Sequence, residues 1–473
     1  MKPRRSARQD GSLAAAFAVL LMIVVIFVGM AIDLALAYTR RMELREAADA
    51  AALAAASALD GTPAGVENAT AAAQTALSNT SYKYGASFAW NDAALSFAAN
   101  YDDPASAWVA AAAAGAADAG MLRFARFDTS QLTPDPGIVD TILVRSAGAT
   151  TLSTAASAVA GPALRHIDPI AICALSAAPA AARSNTLGAG NEELVEYGFR
   201  RGVTYNLIDL NPDGTDAQSY AVNPVDFPGA PNYSAHFAAD VLKPFMCTGL
   251  LPAPATLTQV YVSAPFPAAS LYDEINVRLQ LAAAGKCKTY ASAPDTNVRE
   301  FVPNYSAFWM GSQVAPYAQA DSSTGARLTV ADLAAPPAGA SAGWLGTLWA
   351  YSRPVRYAAS AAGNAGTAFG KADWSALYPT APAPSSTYPD SLDTPYLTTK
   401  GTQVKPPSVT GQRYRRILNV PLLSCPVPAS GVATVLAIGK FMLTARASAS
   451  AIPAEFGGLA TDAAVSTTFT IYQ

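Results

Sequence analysis

An α+β fold carried on one long N-terminal helix is predicted by three observations. An uncharged apolar run near the N-terminus leads directly into an alanine-rich stretch without Pro or Gly. Downstream, short segments rich in β-branched and aromatic residues are bounded by Pro, Gly or Asn, the pattern of strands. Between about 295 and 407 the chain is rich in Pro, Ser, Tyr and Ala, the texture of long loops.

The helix is justified first. Residues 1–12 form a basic leader with Lys2, Arg4, Arg5 and Arg8. Every position from Leu13 to Ile32 is apolar, small or Gly29, which at helical rise spans roughly 30 Å, the hydrocarbon thickness of a bilayer. A transmembrane helix is expected over 13–37. Arg40, Arg41 and Arg45 follow it, interleaved with Glu43, Glu46 and Asp49. Counting basic residues alone places the N-terminus inside and the bulk of the chain on the far side. No comparably long run recurs, since Val432–Ile438 has only the length of a strand. Residues 38–60 favour continuation of the same helix until Asp60, Gly61 and Pro63 stop it. Ala47, Ala48, Ala51, Ala55 and Ala58 give it small faces, suited to a partner helix or to covering the globular region of the same chain.

Two features of this segment invite function. Asp33 sits at the distal end of the apolar run, where an ionisable group is costly unless paired or solvated at the interface. Ala35-Leu36-Ala37 has the form of a signal-peptide cleavage site, but the apolar run is longer than a signal core, so an uncleaved anchor is expected.

Residues 61–473 are expected to be a β-rich region of one or two domains with Ala-rich helices. Helices are predicted at Val66–Leu77 and Ala105–Ala117. Strands are predicted at Ile138–Val144, Thr256–Ser263, Arg327–Val330, Arg416–Leu423 and Val432–Met442, with turns at Asp102–Pro104, Pro134–Gly137 and Pro212–Gly214. Cys173, Cys247, Cys287 and Cys425 are even in number and widely spaced, which fits two disulfides in an oxidising compartment, in any of three pairings. Four buried thiols are the alternative.

Composition excludes several function classes. Charged residues are 14% of the chain and the formal charge is −3, so no nucleic-acid footprint is present. With only His166 and His236, neither near a cysteine at finger spacing, zinc is not expected. Asp209, Asn211 and Asp213, followed by Gly214, have the alternation of a calcium loop, but Tyr220 stands where the bidentate Glu belongs; a plain turn explains the same residues. Gly339-Ala-Ser341-Ala-Gly343 matches a nucleophile elbow by letter, yet Pro336 and Pro337 precede it and both histidines lie upstream. No enzyme, cofactor or small-molecule substrate is indicated. Trp309, Trp344, Trp349 and Trp374 cluster in the loop-rich region, either as a core or as an aromatic surface for glycan or protein.

The run Ala31-Ile32-Asp33-Leu34, then Tyr38, Arg40 and Arg41, then Leu44-Arg45-Glu46-Ala47-Ala48-Asp49-Ala50-Ala51-Ala52-Leu53-Ala54-Ala55-Ala56, resembles the N-terminal module of TadG-like, TadE/G-type Flp pilus-assembly proteins. The resemblance covers about residues 7–58. It implies a bacterial inner-membrane protein with a large periplasmic part, contributing to assembly or anchoring of a tight-adherence pilus. Asp33, Arg40, Arg41 and Asp49 become candidates for helix assembly, and other Tad components or pseudopilins become candidate partners. Related TadE and TadF pseudopilins are processed after a glycine with glutamate at the fifth mature position; here Ala16 holds that place after Gly11, so prepilin-type cleavage is not carried over. Nor is a metal-dependent adhesion site, because Asp321-Ser322-Ser323-Thr324-Gly325 lacks the second serine of DxSxS. The alternative function is a membrane-tethered binding protein or adhesin using the Trp- and Tyr-rich region.

Overall fold

The computed structural model describes residues 10–59, 62–98, 104–114, 119, 122–142, 145, 148, 150–161, 164–210, 218–226, 228, 236–253, 257–281, 287, 292–302, 308–310, 315–320, 329–333, 342–358, 366–379, 384–389, 393–399, 401–465 and 471–472. The chain divides into two compact units, Met1–Ala163 with Phe469–Gln473, and Leu164–Thr468.

The first unit is organised by α1, which runs unbroken over Asp10–Ala58. At helical rise its 49 residues measure about 73 Å. It is long and apolar enough to cross a membrane, and the large apolar side chains from Phe17 to Ile32 are exposed along it. From Leu44 onward one face becomes buried: Leu44, Ala47, Ala48, Ala51, Ala52, Ala55 and Ala56 are closed off from solvent. Their partners are α2 (Pro63–Ser78) and a sheet. Thr62 caps α2 by accepting the Gly65 N–H at 3.0 Å, with Pro63 in the first turn, and Val66, Ala69, Ala73 and Leu77 form its buried stripe.

The sheet of this unit uses β3 (Leu95–Ala98), β4 (Val109–Ala110), β5 (Phe124–Asp128), β8 (Ser157–Ala160) and the C-terminal β21 (Ile471–Tyr472), in the order β21-β8-β5-β3-β4. Its α1-facing core includes Leu95, Phe97, Ala125 and Phe127. Side chains no larger than methyl let α1 lie directly on α2, β5 and β8, so the alanine ladder covers its own unit. Two further strand pairs touch α1: β1 (Ser81–Tyr82) with β2 (Ala86–Ser87), and β6 (Ile138–Asp140) with β7 (Thr151–Ser153). The helix expected at Ala105–Ala117 is not found among the described residues. Ala105–Ala107 and Ala111–Ala113 are single 3-10 turns flanking β4, because Val109 and Ala110 gain an edge pairing with Phe97 and Ser96 that outweighs the helix propensity of alanine.

In the second unit β9 (Leu164–Arg165) pairs with β16 (Leu251–Pro252), and β11 (Ala181–Arg183), β12 (Glu193–Glu196) and β13 (Phe199–Arg200) make a small meander. The main sheet joins β14 (Thr204–Asn206), β20 (Pro453–Leu459), β19 (Val432–Leu443), β17 (Gln259–Ser263), β15 (Ser219–Val222), β10 (Ile170–Cys173) and β18 (Ile417–Leu423). A further pairing of β18 with β19 closes β10, β15, β17, β19 and β18 into a ring. Alternation then sorts the side chains: Ala171, Cys173, Tyr220, Val222, Val260, Val262, Leu423 and Ala433 form one cluster, while Ile170, Ile172, Ala221, Leu418, Val420 and Phe441 join the larger core. The strands expected near 256–263, 416–423 and 432–442 are therefore present as β17, β18 and β19, and the one near 138–144 as β6. That near 327–330 reduces, among described residues, to a single bridge between Ala320 and Thr329.

Helices α3 (Ala239–Thr248) and α4 (Ala268–Asn276) pack on each other, and Gly249 ends α3 in the left-handed region at φ 68°. Between Leu279 and Ile417 the described residues form one-turn helices and isolated bridges rather than strands. This loop-rich stretch is packed, not splayed. Trp309, Trp349 and Trp374 are fully buried with Tyr378 and Tyr388 around them, and Trp344 is half-buried. Of the two readings, core and aromatic binding surface, the core is the one found for Trp309, Trp349 and Trp374: these rings are the hydrophobic core that a strand-poor segment needs in order to hold together. Cys173 pairs with Cys425 and Cys247 with Cys287, with Cα separations of 5.6 and 5.7 Å.

Candidate functional site

Along α1, Asp33, Arg40, Leu44, Ala47, Ala51 and Ala55 follow one another by three, four or seven residues, so they share one stripe. The stripe that is alanine against the sheet becomes polar toward the apolar run. Arg40 is buried there: its Nη1 donates to the Pro136 carbonyl at 2.8 Å, its Nε to Glu43 at 2.9 Å, and its guanidinium lies 4.9 Å from the Tyr82 ring centre. Glu43 also accepts the Lys83 N–H at 3.3 Å. One end of the stripe is held by Asp33, 2% exposed, whose Oδ1 accepts the Ile142 N–H at 2.8 Å. An ionisable residue at the edge of the apolar run is thus turned into the protein's own first unit.

Beside this collar is a cavity of about 320 Å³ lined by Leu36, Thr39, Arg40, Glu43, Lys83 and Ile142, among others. The apolar side chains nearby stand out from the surface: Ile142 is 63% exposed, and Ile138, Tyr84 and Tyr38 are exposed too. Arg41, turned about 100° from Arg40 around the helix, is exposed. Asp49 is half-buried, 4.0 Å from Arg45; burial raises its pKa and Arg45 pulls it back. Of the four helix residues singled out from sequence, Asp33 and Arg40 meet on one structural element, the segment 136–142, whereas Arg41 and Asp49 do not.

The calcium-loop candidates are not brought together by anything described. Asp209 donates its N–H to the Asn206 carbonyl at 3.2 Å, and Asn211 and Asp213 lie outside the described residues, as does Ser341. Among the described residues no group of three or more His, Cys, Asp or Glu is placed to hold a metal.

The second unit carries a larger cavity, of about 760 Å³, that sequence reading did not find. Arg278, Arg413, Arg415 and Lys440 line it with Asp168 the single carboxylate; His166, Asn419, Gln412, Tyr351 and Tyr414 complete the polar wall. Asp168 is buried and accepts from Arg278 Nη2 at 2.5 Å and from the Asn419 N–H at 3.1 Å. Burial pushes its pKa up, with Arg278 the main opposing influence. Arg415 spans the end of α3, donating to the Thr248 and Cys247 carbonyls at 2.6 and 2.7 Å, and burial brings it down to about 10. A Cβ on Gly249 would stand 3.0 Å from Arg278 and 3.3 Å from Asp168, so glycine there lets the helix end close over the ion pair. These residues come from six separate stretches of chain, and no spacing rule joins them.

No curated protein and no solved structure matches the chain. The collar and ladder, however, fall within residues 11–58, which match the family model described as "Putative Flp pilus-assembly TadE/G-like", so the N-terminal region of this protein resembles a TadE/G-like module and carries a helix long and apolar enough to cross a membrane.

Proposed function

We propose that this chain is a non-enzymatic, single-pass inner-membrane protein that contributes to assembly or anchoring of a Flp/Tad-type pilus. Its N-terminus is cytoplasmic, and the second unit, with the part of the first unit that follows the apolar run, is periplasmic. The observation that carries the reading is the coincidence of the TadE/G-like match with α1. Two disulfides agree with an oxidising compartment beyond the membrane. Tyr38, Tyr84, Ile138 and Ile142, exposed around the collar, are suited to the headgroup layer beneath which the apolar run lies. Asp33 and Arg40 are engaged by the chain itself, so pseudopilins or other Tad components would meet the outward side of α1, at Tyr38, Arg41 and Met42, and its lipid-facing surface.

The test is a count of surface filaments, with total pilin by immunoblot, in a strain deleted for this gene and in its complemented parent. Filaments lost while pilin persists are expected. Unchanged filaments would defeat the pilus assignment and leave a membrane-tethered periplasmic binding protein, a second reading favoured by the cavity of the second unit.

A further inference from the structure

The cation-lined cavity of the second unit is at odds with the chain that contains it. A protein of net charge −3 with few charged residues places four cationic side chains around one space and opposes them with a single carboxylate. That carboxylate, Asp168, is occupied by Arg278 and by backbone. Arg415 is committed to the carbonyls at the end of α3. Arg413, at 4.8 Å over the Tyr414 ring, and Lys440 make no ion pair with any described residue. Arg278 is fully buried, and its Nε has no hydrogen-bond partner among the described residues. Burial lowers the Lys440 pKa and Arg201 adds to the effect, with the Glu196 carboxylate opposing both. Surplus positive charge of this kind is stabilised by an anion.

Size and wall chemistry narrow the class. About 760 Å³ lies within the range of sites for organic ligands and is far larger than an inorganic anion needs. Tyr351 and Tyr414 bring aromatic rings to the wall, Gln412 brings a side-chain amide for hydroxyls, and Leu250, Leu397 and Ile417 supply an apolar part. An extended peptide would need unpaired main chain to bind as an added strand. At this wall the main chain is taken: β18 pairs with β19, and the Asn419 N–H and C=O are bonded to Asp168. Recognition here must come from side chains.

We infer that this cavity binds an acidic saccharide, a sugar chain bearing a carboxylate, with Arg413 and Lys440 holding the charge and the two tyrosines lying against sugar rings. The inference goes beyond the pilus assignment and does not depend on it.

The experiment is calorimetric titration of the full-length protein in detergent with trigalacturonic acid, neutral maltotriose, tetraglutamate and inorganic phosphate, repeated on Arg413→Gln and Lys440→Gln. Trigalacturonic acid is expected to bind, with maltotriose weaker by about tenfold or more and each variant losing about tenfold at unchanged melting temperature, as for removal of one charge-assisted contact. Should one variant fold poorly, the other, on a different segment, carries the comparison. The inference is overturned if trigalacturonic acid does not bind, if phosphate or tetraglutamate binds as well as it does, or if both folded variants bind it undiminished.

Discussion

Asp33 and Ile142 are 109 residues apart in sequence and joined by one hydrogen bond, from the Ile142 amide to the Asp33 carboxylate at 2.8 Å. The acceptor is buried at the end of an apolar helix run, and the donor's side chain is exposed beside it. Removing the carboxylate takes away the acceptor of a part-buried amide, at a local cost of about 1 kcal/mol. Asp33→Ala is therefore expected to speed hydrogen exchange of the Ile142 amide in the bilayer-reconstituted protein, and Asp33→Asn, which keeps an acceptor, to do so less. Equal exchange in all three proteins would remove this contact from the account.

The alanine ladder has no room. Ala51 and Ala55 are fully buried between α1 and the sheet of the first unit. Ala51→Leu is expected to cost about 1–3 kcal/mol through overpacking, whereas Glu46→Ala, on the exposed side, leaves the melting temperature unchanged. A ladder that tolerated leucine would point to a looser packing of α1.

Arg200 and Glu193 form a buried pair, with Nε to Oε1 at 2.9 Å and Nη2 to Oε2 at 2.6 Å. Burial works against the charge on Arg200, and Glu193, Tyr378 and Asp332 together outweigh it, so its pKa is raised. Glu193→Gln strands the guanidinium and is expected to cost about 3–5 kcal/mol. Chemical denaturation of the full chain measures it, and a loss below about 1 kcal/mol would mean that the Ala331 and Leu377 carbonyls satisfy Arg200 unaided.

Glu455 gives a pH dependence of defined sign. Burial pushes it up to about 8, although the N–H groups of Ala350, Tyr351 and Ser352 donate to it at 2.6 to 2.8 Å and pull the other way. The folded state therefore holds a proton that the unfolded state releases above its ordinary value of 4.5, and stability falls as pH rises from about 4.5 to about 8. Melting temperature measured across that window should decline, and more shallowly for Glu455→Gln. The slope is the readout, because the amide also alters the hydrogen bonds. An unchanged slope would assign the decline to other groups.

Local chemistry made much of the first unit readable. Leu13–Ile32 declares its length, and the stretch after it contains no breaker before Asp60; the helix expected at Val66–Leu77 starts one turn earlier, because Pro63, read as a stop, also opens α2 behind the Thr62 cap. The β17, β18 and β19 strands were readable because Val, Ile, Leu and Tyr run between turn residues. What could not be read depends on distance in sequence. Nothing near Asp33 names Ile142, nothing near Arg413 names Lys440, and the pairing of Cys173 with Cys425 spans 252 residues. Val109-Ala110 shows the other failure, in which an edge pairing available only in the folded sheet overrides what alanine prefers alone.

Because α1 passes from the apolar run into the ladder without a break, angular phase along it is a structural parameter. One residue inserted between Leu34 and Thr39 turns Asp33 by about 100° relative to Ala47, away from Ile142, and lengthens the rod by about 1.5 Å. Seven residues restore the phase to within about 20° while displacing Asp33 by about 10 Å along the axis. Rotation of the span about its own axis, or a push along it, is likewise delivered to the first unit as rotation or displacement, with no hinge in α1 to absorb it.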